Sequence, residues 1–257
     1  MIQEHRRQRP RPWGEQVTSV KHWWMVPVLA IEWPFQWIAF LLGNWAFLEI
    51  LEYLGSFSVL VAVIFYFHDA GNRLKQKHYQ AWQVINTAQG KGGSGGRIEA
   101  LQELNADGIP LVGVDVSRAF LQGVQLPQAH LLRSDFSAAD VRSSNFHSAD
   151  LTDSELGAAN FRESSLHGAS LQGAHLDEAD LWGADLSAAD LSDTSLVDVD
   201  LRNADLNGIR WQRISNVRGA NIYGVRNAPA GFVAWASQHG AVQIESDAKW
   251  EARRSGH

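Results

Sequence analysis

The segment SADLTDSELGAANF, residues 148–161, is representative of the stretch from Ile109 to Arg213 that decides the fold. Throughout this stretch a large apolar residue, here called the central residue, recurs at every fifth position over 21 uninterrupted repeats. The residue two positions earlier is small or aliphatic, and the one between is usually Asp, Asn or another polar residue. The central residues are Leu111, Val116, Leu121, Leu126, Leu131, Phe136, Val141, Phe146, Leu151, Leu156, Phe161, Leu166, Leu171, Leu176, Leu181, Leu186, Leu191, Leu196, Leu201, Leu206 and Trp211. A fixed internal period of this kind indicates a repeat architecture.

A period of five fits neither an α-helix nor an isolated β-strand, whose periods are about 3.6 and 2 residues. The chain must therefore turn once in every repeat. If four turns close one coil, twenty residues return the chain to a point above its start, and the central residue and its small partner both face inward. Coils stacked at the strand spacing of about 4.8 Å would give roughly five coils and a rod of about 25 Å.

Several repeats read Ala-Asp-Leu, as at 149–151, 179–181, 184–186 and 204–206, and these tandem repeats resemble the pentapeptide-repeat family. The resemblance implies an all-β solenoid, a right-handed quadrilateral β-helix, which we place at residues 109–228. A fold of this kind does not by itself assign a function.

The two ends of such a solenoid need caps, because each coil buries its face only against a neighbour. Residues 97–108 are predicted to form the N-terminal cap helix, with the helix itself from Arg97 to Ala106 and a turn at 107–108. Ile98, Leu101 and Leu104 lie at helical spacing within it. At the other end the register slips between Trp211 and Val217, which are six residues apart. Residues 229–257 are then predicted to form a C-terminal cap helix from Pro229 to Gly240 and a polar, frayed tail.

The N-terminal part of the chain has the composition of a membrane anchor. Residues 1–22 form a basic arm, predicted to be flexible, and residues 23–68 are predominantly apolar and rich in tryptophan. About 20 apolar residues cross a bilayer, so we predict a membrane span at residues 47–67. The tryptophans before it predict a segment that lies in the headgroup layer, and Pro27 and Pro34 are predicted to interrupt its helix.

Two other arrangements of residues 23–68 stay open. A hairpin of two spans, turning near Glu49 and Glu52, would leave the basic arm and the basic residues after the span on one side of the membrane, as the positive-inside rule favours. In the second of these arrangements, residues 23–68 form a soluble helical hairpin that is buried in the protein. Glu49 and Glu52 share a helix face, and near the interface both carboxylates could stay hydrated.

The segment between the anchor and the repeats is predicted to contain a helical stalk, residues 69–89, and a glycine-rich linker, residues 90–96. Asp69 could cap the stalk helix, whose apolar stripe would include Trp82 and Ile85. The linker reads GKGGSGG and satisfies a Gly-x-Gly-x-x-Gly pattern by composition. Because a helix rather than a strand precedes it, a dinucleotide site is not expected.

Composition separates a basic anchor from an acidic repeat region. Residues 109–213 hold 16 Asp and Glu against 7 Arg, while the whole chain carries a net charge of −6. Cysteine is absent, which excludes disulfides and thiolate chemistry. We find no motif of a nucleophile elbow, zinc protease or phosphate loop, and therefore expect no enzyme activity, no cofactor and no metal site.

Side chains twenty residues apart would stack in columns on the outside of the coils. Arg142, Arg162, Trp182 and Arg202, here called the arginine column, could bind carboxylate or phosphate groups of a partner. Alternatively, neighbouring carboxylates such as Asp140, Glu163 and Asp200 neutralise these arginines. His147 and His167 also stack, but two imidazoles without a third ligand do not predict a metal site.

These features predict a membrane-anchored, non-catalytic scaffold. Its predicted partners are membrane lipid and an unidentified protein, and no nucleic acid is expected. Its predicted location is the inner membrane of a bacterium, with the solenoid on the cytoplasmic side. The oligomeric state is left open. The alternative is an acidic, DNA-mimicking inhibitor of a DNA topoisomerase, which the family resemblance and the acidic charge of the repeats bring forward.

Overall fold

The computed structural model describes residues 8–43, 46–68, 70–87 and 94–254. The chain divides into two compact units, Met1–Arg73 and Leu74–His257, which are described separately. The helices are α1 (Trp13–Thr18), α2 (Val26–Gly43), α3 (Ala46–His68), α4 (Ala70–Thr87), α5 (Arg97–Ala106), α6 (Phe232–Gln238) and α7 (Asp247–Arg254).

The repeats of the second unit form stacked coils of twenty residues. Main-chain bonds join each coil to the next: the Leu151 amide donates to the Ser170 carbonyl at 2.8 Å, and the Asp150 amide to the Ala129 carbonyl at 2.9 Å. Parallel β-bridges pair residues twenty apart, such as Asn160 with Asp180. Each bridge is one residue long, so the described repeats contain bridges rather than continuous strands. The right hand of the coil stays a prediction from the family resemblance.

Every repeat closes with a turn. In one example the Ser154 amide donates to the Leu151 carbonyl at 3.2 Å, and the residue before Ser154, Asp153, has φ of 55°. A positive φ at the third turn residue is the type II arrangement, which favours glycine. Here most repeats carry another residue at that position, including Arg133, Ala158 and Glu163. The turn recurs because the five-residue period demands it, not because each turn residue favours it.

The core confirms the predicted inward register. Central residues such as Leu156 and Leu176 are fully buried, and so are the small residues two positions before them. Phe136, Phe146 and Phe161 pack edge to face, with ring centroids 5.6 to 5.7 Å apart. Burying each leucine contributes about 1.5–3 kcal/mol, so the repeated core supplies the main apolar driving force of this unit.

α5 covers the first coil, and its bounds agree with the helix predicted from the apolar spacing. Leu101 and Leu104 are fully buried. The Gln102 side chain accepts a hydrogen bond from the Gln125 amide at 2.9 Å, and Asn105 donates to the Pro127 carbonyl at 3.0 Å. The helix therefore provides partners for backbone groups at the open end of the coil, which would otherwise form an unpaired edge.

The end of α4 also belongs to this cap. Ile85 is fully buried in the same core, and Lys77 forms a 2.8 Å ion pair with Glu103 of α5. His78 lies 2.8 Å from Asp107. The segment predicted as a stalk is therefore helical, but its last turns pack against the repeat unit. The proposed cap at Asp69 and residues 88–93 of the linker lie outside the described residues.

The last coils contain the register slip that the sequence predicts. Asp190 pairs with Arg210 at a separation of twenty residues, whereas Ser195 pairs with Asn216 at twenty-one. An extra residue in one strand of a pair is accommodated as a bulge. α6 follows, with Phe232 and Ala236 buried, so this end carries the predicted cap helix.

The described part of the C-terminal tail, which ends at Arg254, is not frayed, contrary to the prediction. Val242 forms a parallel bridge with Asn221, whose side chain also bonds the Ile244 backbone at 2.8 and 3.0 Å. α7 follows, and Trp250 within it is 2% exposed. The tail is ordered because its backbone extends the parallel pairing and its indole is buried, two contacts that a polar composition does not reveal.

The described part of the first unit is helical where the sequence predicted a flexible arm and a segment interrupted by prolines. α1 lies within the described part of the arm and packs on α2: the Trp13 and Trp33 rings are 5.9 Å apart, and Trp33 Nε1 donates to the Arg11 carbonyl at 3.1 Å. α2 continues through Pro34. Pro27 lies in its first turn, where a missing amide is tolerated, so neither proline ends the helix.

By length and apolarity, residues 23–43 are the one described helix that could cross a bilayer by itself. Residues 53–68 meet the same test only together with residues 71–87. α3 nevertheless contains the whole segment predicted as the span. The side chains of Glu49 and Glu52 lie outside the described part of the chain.

Candidate functional site

The arginine column lies on one side of the coils because each of its members directly follows a buried central residue. This is the second position of the turn, which points outward. Gln122 occupies the corresponding position one coil before Arg142, and Tyr223 the position after Arg202. The structure therefore stacks the four predicted residues, but it gives them different surroundings.

Arg142 forms a two-pronged ion pair with the carboxylate of its own repeat. Its Nε donates to Asp140 Oδ1 at 2.8 Å and its Nη2 to Asp140 Oδ2 at 2.7 Å. The side-chain hydrogen bonds from Arg142 lower the pKa of Asp140. The Arg142 side chain is 44% exposed, so the guanidinium is held in a fixed orientation at the surface.

Arg162 and Trp182 occupy the next two coils. Arg162 Nε donates to Asp180 Oδ2 at 2.6 Å, and its guanidinium lies 5.8 Å from the centre of the Trp182 ring. A shallow cleft of about 230 Å³, here called the Arg142 cleft, opens between these side chains. It is lined by Gln122, Arg142, Ser143, Arg162, Glu163 and Trp182.

Arg202 is buried and does not share the exposed surface of the column. Its side chain is 4% exposed and forms a two-pronged pair with Asp200, with Nε–Oδ1 and Nη2–Oδ2 distances of 2.9 and 2.6 Å. Its Nη1 donates to the Glu245 carbonyl at 3.0 Å and to Asp247 Oδ1 at 2.5 Å. The bonds to Asp200 and then to Asp247 raise the pKa of Arg202. The C-terminal tail therefore already occupies this part of the column.

The contacts of Arg202 with the tail are not among the contacts predicted from the sequence. Glu245 also approaches Tyr223, and its charge raises the pKa of that phenol. Tyr223 continues the arginine column, so the tail passes near two successive members of this column. The one sequence signal was Trp250, a large apolar residue in an otherwise polar segment.

Many of the acidic residues have a structural role in the turns. Their carboxylates accept a hydrogen bond from the amide two residues later, as Asp150 does from Thr152 at 3.1 Å and Asp185 from Ser187 at 2.9 Å. Side chains that bond local backbone in this way favour turns. The acidic charge of the repeats is therefore explained in large part by the turns themselves.

His147 and His167 stack as predicted. Their rings are parallel with centroids 5.0 Å apart, and His167 Nδ1 lies 2.7 Å from the Ser187 hydroxyl. Among the described residues, no group of three or more His, Cys, Asp or Glu is placed to hold a metal ion. The pair therefore has the geometry of a side-chain ladder.

A family model described as pentapeptide repeats matches residues 111–147, 144–183 and 169–208, with eight copies of its unit. The chain belongs to the pentapeptide-repeat family. The match falls on the same residues that form the twenty-residue coils. The comparison with curated proteins gives no match.

Solved structures of pentapeptide-repeat proteins resemble this part of the chain. A pentapeptide repeat protein from Nostoc PCC 7120 is 36% identical over 39% of this chain and 84% of its own, with a TM-score of 0.33. Rfr23 from the cyanobacterium Cyanothece 51142 is 29% identical over 37% of this chain, with a TM-score of 0.30, and the match spans 62% of Rfr23, less than two thirds of its length. QnrB1, a plasmid-mediated fluoroquinolone resistance protein, is 15% identical over 58% of this chain and 84% of its own, with a TM-score of 0.31. The identification rests on the repeat sequence, because the superpositions are partial.

Proposed function

We propose that this pentapeptide-repeat protein is a membrane-anchored, non-catalytic scaffold that presents a right-handed β-solenoid to a protein partner. The observation that carries the proposal is the contrast between the two units of one chain. The first exposes long apolar helices, whereas the second buries its apolar residues and presents fixed polar side chains.

The lipid bilayer is the proposed environment of the first unit. Ile31, Phe35 and Leu41 of α2 are each more than 60% exposed, and Phe57, Phe65 and Phe67 of α3 are likewise exposed. Contiguous apolar surface on this scale marks a membrane or protein interface. The lengths of the two helices, 18 and 23 residues, fit a membrane better than a small protein contact.

Within the bilayer we assign α3 to the span and α2 to the headgroup layer. The middle of α2 carries Glu32, and the guanidinium of Arg9 lies 5.4 Å from the Trp37 ring. Charged groups at the centre of a bilayer are costly, whereas tryptophan favours the interface. Arg73 and Lys75, which follow α3, favour the cytoplasmic side for the repeats through the positive-inside rule.

The exposed part of the arginine column is the proposed partner surface. Its side chains are held by ion pairs with Asp140 and Asp180 and need little further ordering on binding. Pre-ordered side chains reduce the entropy lost on association. Arg202 is not part of this surface, because the tail covers it.

Membrane fractionation tests the proposal. The full chain is expected to stay in the pellet after carbonate extraction and to need detergent, because the described side chains of α2 and α3 include many exposed apolar ones. A chain beginning at Leu74 keeps Ile85 in the repeat core and serves as the matched control, which should be released without detergent. A full chain released by carbonate alone would overturn the membrane anchor.

The topoisomerase inhibitor is the second candidate and has less support. Carboxylates such as Asp150 and Asp185 are engaged with turn amides, so their number reflects the repeat rather than a binding surface. An apolar N-terminal unit also has no role in binding a soluble DNA enzyme. A supercoiling assay with purified gyrase is expected to show no inhibition by the full chain in detergent.

A further inference from the structure

We infer that the Arg142 cleft binds a short carboxylate-bearing segment of a protein partner through contacts of the same kind as those that Arg202 makes with the chain's own tail. The inference rests on the proposed function in that it takes the exposed arginine column as the partner surface. It adds the chemistry of the partner: a segment that offers one backbone carbonyl and, two residues later, one carboxylate.

The tail shows how a column arginine binds such a segment. Arg202 uses Nε and Nη2 for Asp200, which leaves Nη1 free to donate to the Glu245 carbonyl and the Asp247 carboxylate. Asp247 begins α7, so the carboxylate comes from the first turn of a helix. A guanidinium can hold two carboxylates because it carries five donors in a planar fork.

Arg142 reproduces the first half of this arrangement. It makes the same Nε–Oδ1 and Nη2–Oδ2 contacts with Asp140, which likewise lies two residues before it. Among the described residues, no hydrogen-bond acceptor is assigned to Nη1 of Arg142. The Arg142 side chain is 44% exposed whereas that of Arg202 is 4% exposed. The same donor edge that holds the tail at Arg202 is therefore accessible at Arg142.

The charges around the cleft favour one carboxylate at the Arg142 guanidinium over a polyanion. Arg142 and Arg162 are each paired with an aspartate, and Glu163 adds a further negative charge to the lining. A polyanion such as nucleic acid would be repelled by this balance, whereas one carboxylate can bind Nη1 directly. The Trp182 ring beside it offers an apolar surface for a neighbouring side chain of the segment.

A fluorescent peptide with the sequence of residues 243–254, QIESDAKWEARR, provides the probe. Its anisotropy is measured with the full-length protein in detergent micelles, in which the chain's own tail stays on Arg202. Saturable binding is expected. Because a charge-assisted pair is lost, R142A and R142K should each weaken binding by about tenfold or more. A peptide with Asn in place of Asp247 should bind the wild-type protein more weakly for the same reason.

Two further variants sharpen the experiment. R133A removes an arginine that is 73% exposed on a different side of the coils and should leave the affinity unchanged. E163Q removes the negative charge from the cleft lining and should strengthen binding. Circular dichroism confirms that each variant is folded.

Three results would overturn the inference: no saturable binding of the peptide, equal binding by wild type and R142A, or an equal loss in R133A. If light scattering instead shows a dimer that R142A dissociates, the occupant is a second copy of this chain and the partner assignment is wrong. None of these results changes the carbonate extraction, so failure of the inference is distinguishable from failure of the membrane-anchored scaffold.

Discussion

At the scale of single residues, the repeat imposes a backbone conformation that most of its turn residues do not favour. The third turn position has positive φ in every repeat from Gly113 to Gly208, yet it is occupied by residues such as Arg118, Ala138 and Asp198. A side chain in this conformation is less stable than glycine. The bonds between coils hold these residues in place, and the strain can be measured by substitution.

Ala188→Gly should stabilise the protein, because Ala188 has φ of 59° and its methyl group is exposed. The expected gain is up to about 1 kcal/mol. The neighbouring Ala189→Gly is the matched control and should destabilise the protein, because Ala189 is fully buried and its methyl group fills the core. Urea denaturation of both variants in detergent measures the difference, and a loss of stability in Ala188→Gly would contradict the strain.

Arg202→Met should destabilise the C-terminal end of the repeats. Removing one partner of a buried ion pair costs about 3–5 kcal/mol, because the other charge is left buried, and Asp200 is 2% exposed. The double variant with Asp200→Asn should recover part of that loss. Thermal unfolding is the measurement, and hydrogen exchange of residues 241–254 should increase in the single variant. Unchanged exchange there would contradict the docking of the tail.

The Asp140–Arg142 pair predicts a pH dependence of stability. The folded-state pKa of Asp140 is lowered, so its contribution is present above the unfolded pKa, near pH 4, and is lost as the pH falls through the folded value. Asp140→Asn should therefore be less stable than wild type at pH 7, with the difference shrinking below about pH 4. Urea denaturation of both proteins over this pH range measures the difference in their free energies of unfolding. A difference that grows as the pH falls would contradict the prediction.

At the scale of elements, the helices at the two ends decide whether the coils stay separate from other chains. α5 buries Leu104 on the first coil and provides an acceptor for the Gln125 amide. α6 and the tail cover the last coils, where Val242 extends the parallel pairing. The repeats supply the stack, and the non-repetitive segments end it.

Leu104→Asp should undock α5 and expose the edge of the first coil. An uncovered edge pairs with other chains, so the variant should self-associate in detergent at concentrations where wild type does not. Light scattering after size exclusion measures the association. Glu99→Ala, on the exposed side of the same helix, is the control. A Leu104→Asp protein of unchanged mass and stability would show that the cap does not protect this edge.

At the scale of the whole molecule, the proposed membrane anchor predicts the compartment that the repeats face, which depends on how many times the anchor crosses the bilayer. The chain has no cysteine, so single cysteines introduced at Gln8 and Gln76 can report their sides by labelling with an impermeant maleimide in sealed vesicles. One span through α3 predicts opposite sides for the two positions. Labelling of both from the same side would establish the two-span hairpin instead.

Local sequence predicted the parts of the fold that local geometry controls. The register from Leu111 to Trp211, the inward pairs and the slip before Val217 follow from a period that each repeat satisfies within its own turn and core layer. The helix at Arg97–Ala106 follows from apolar spacing for the same reason. The stacking of Arg142, Arg162 and Trp182 follows once twenty residues make one coil.

The sequence by itself therefore determined a coil of five-residue repeats, a buried core and an apolar N-terminal segment, because each depends on periodicity or composition within a few neighbouring residues. Only the tertiary structure decided which outward residues are accessible. Arg142 and Arg202 occupy equivalent positions, yet one is exposed and the other is buried, since Asp247 returns to Arg202 from 45 residues away. Contacts at that separation leave no periodic pattern in the sequence. The tail is held at Arg202 by the burial of Trp250 and by the hydrogen bond from the Asn221 side chain to the Ile244 carbonyl.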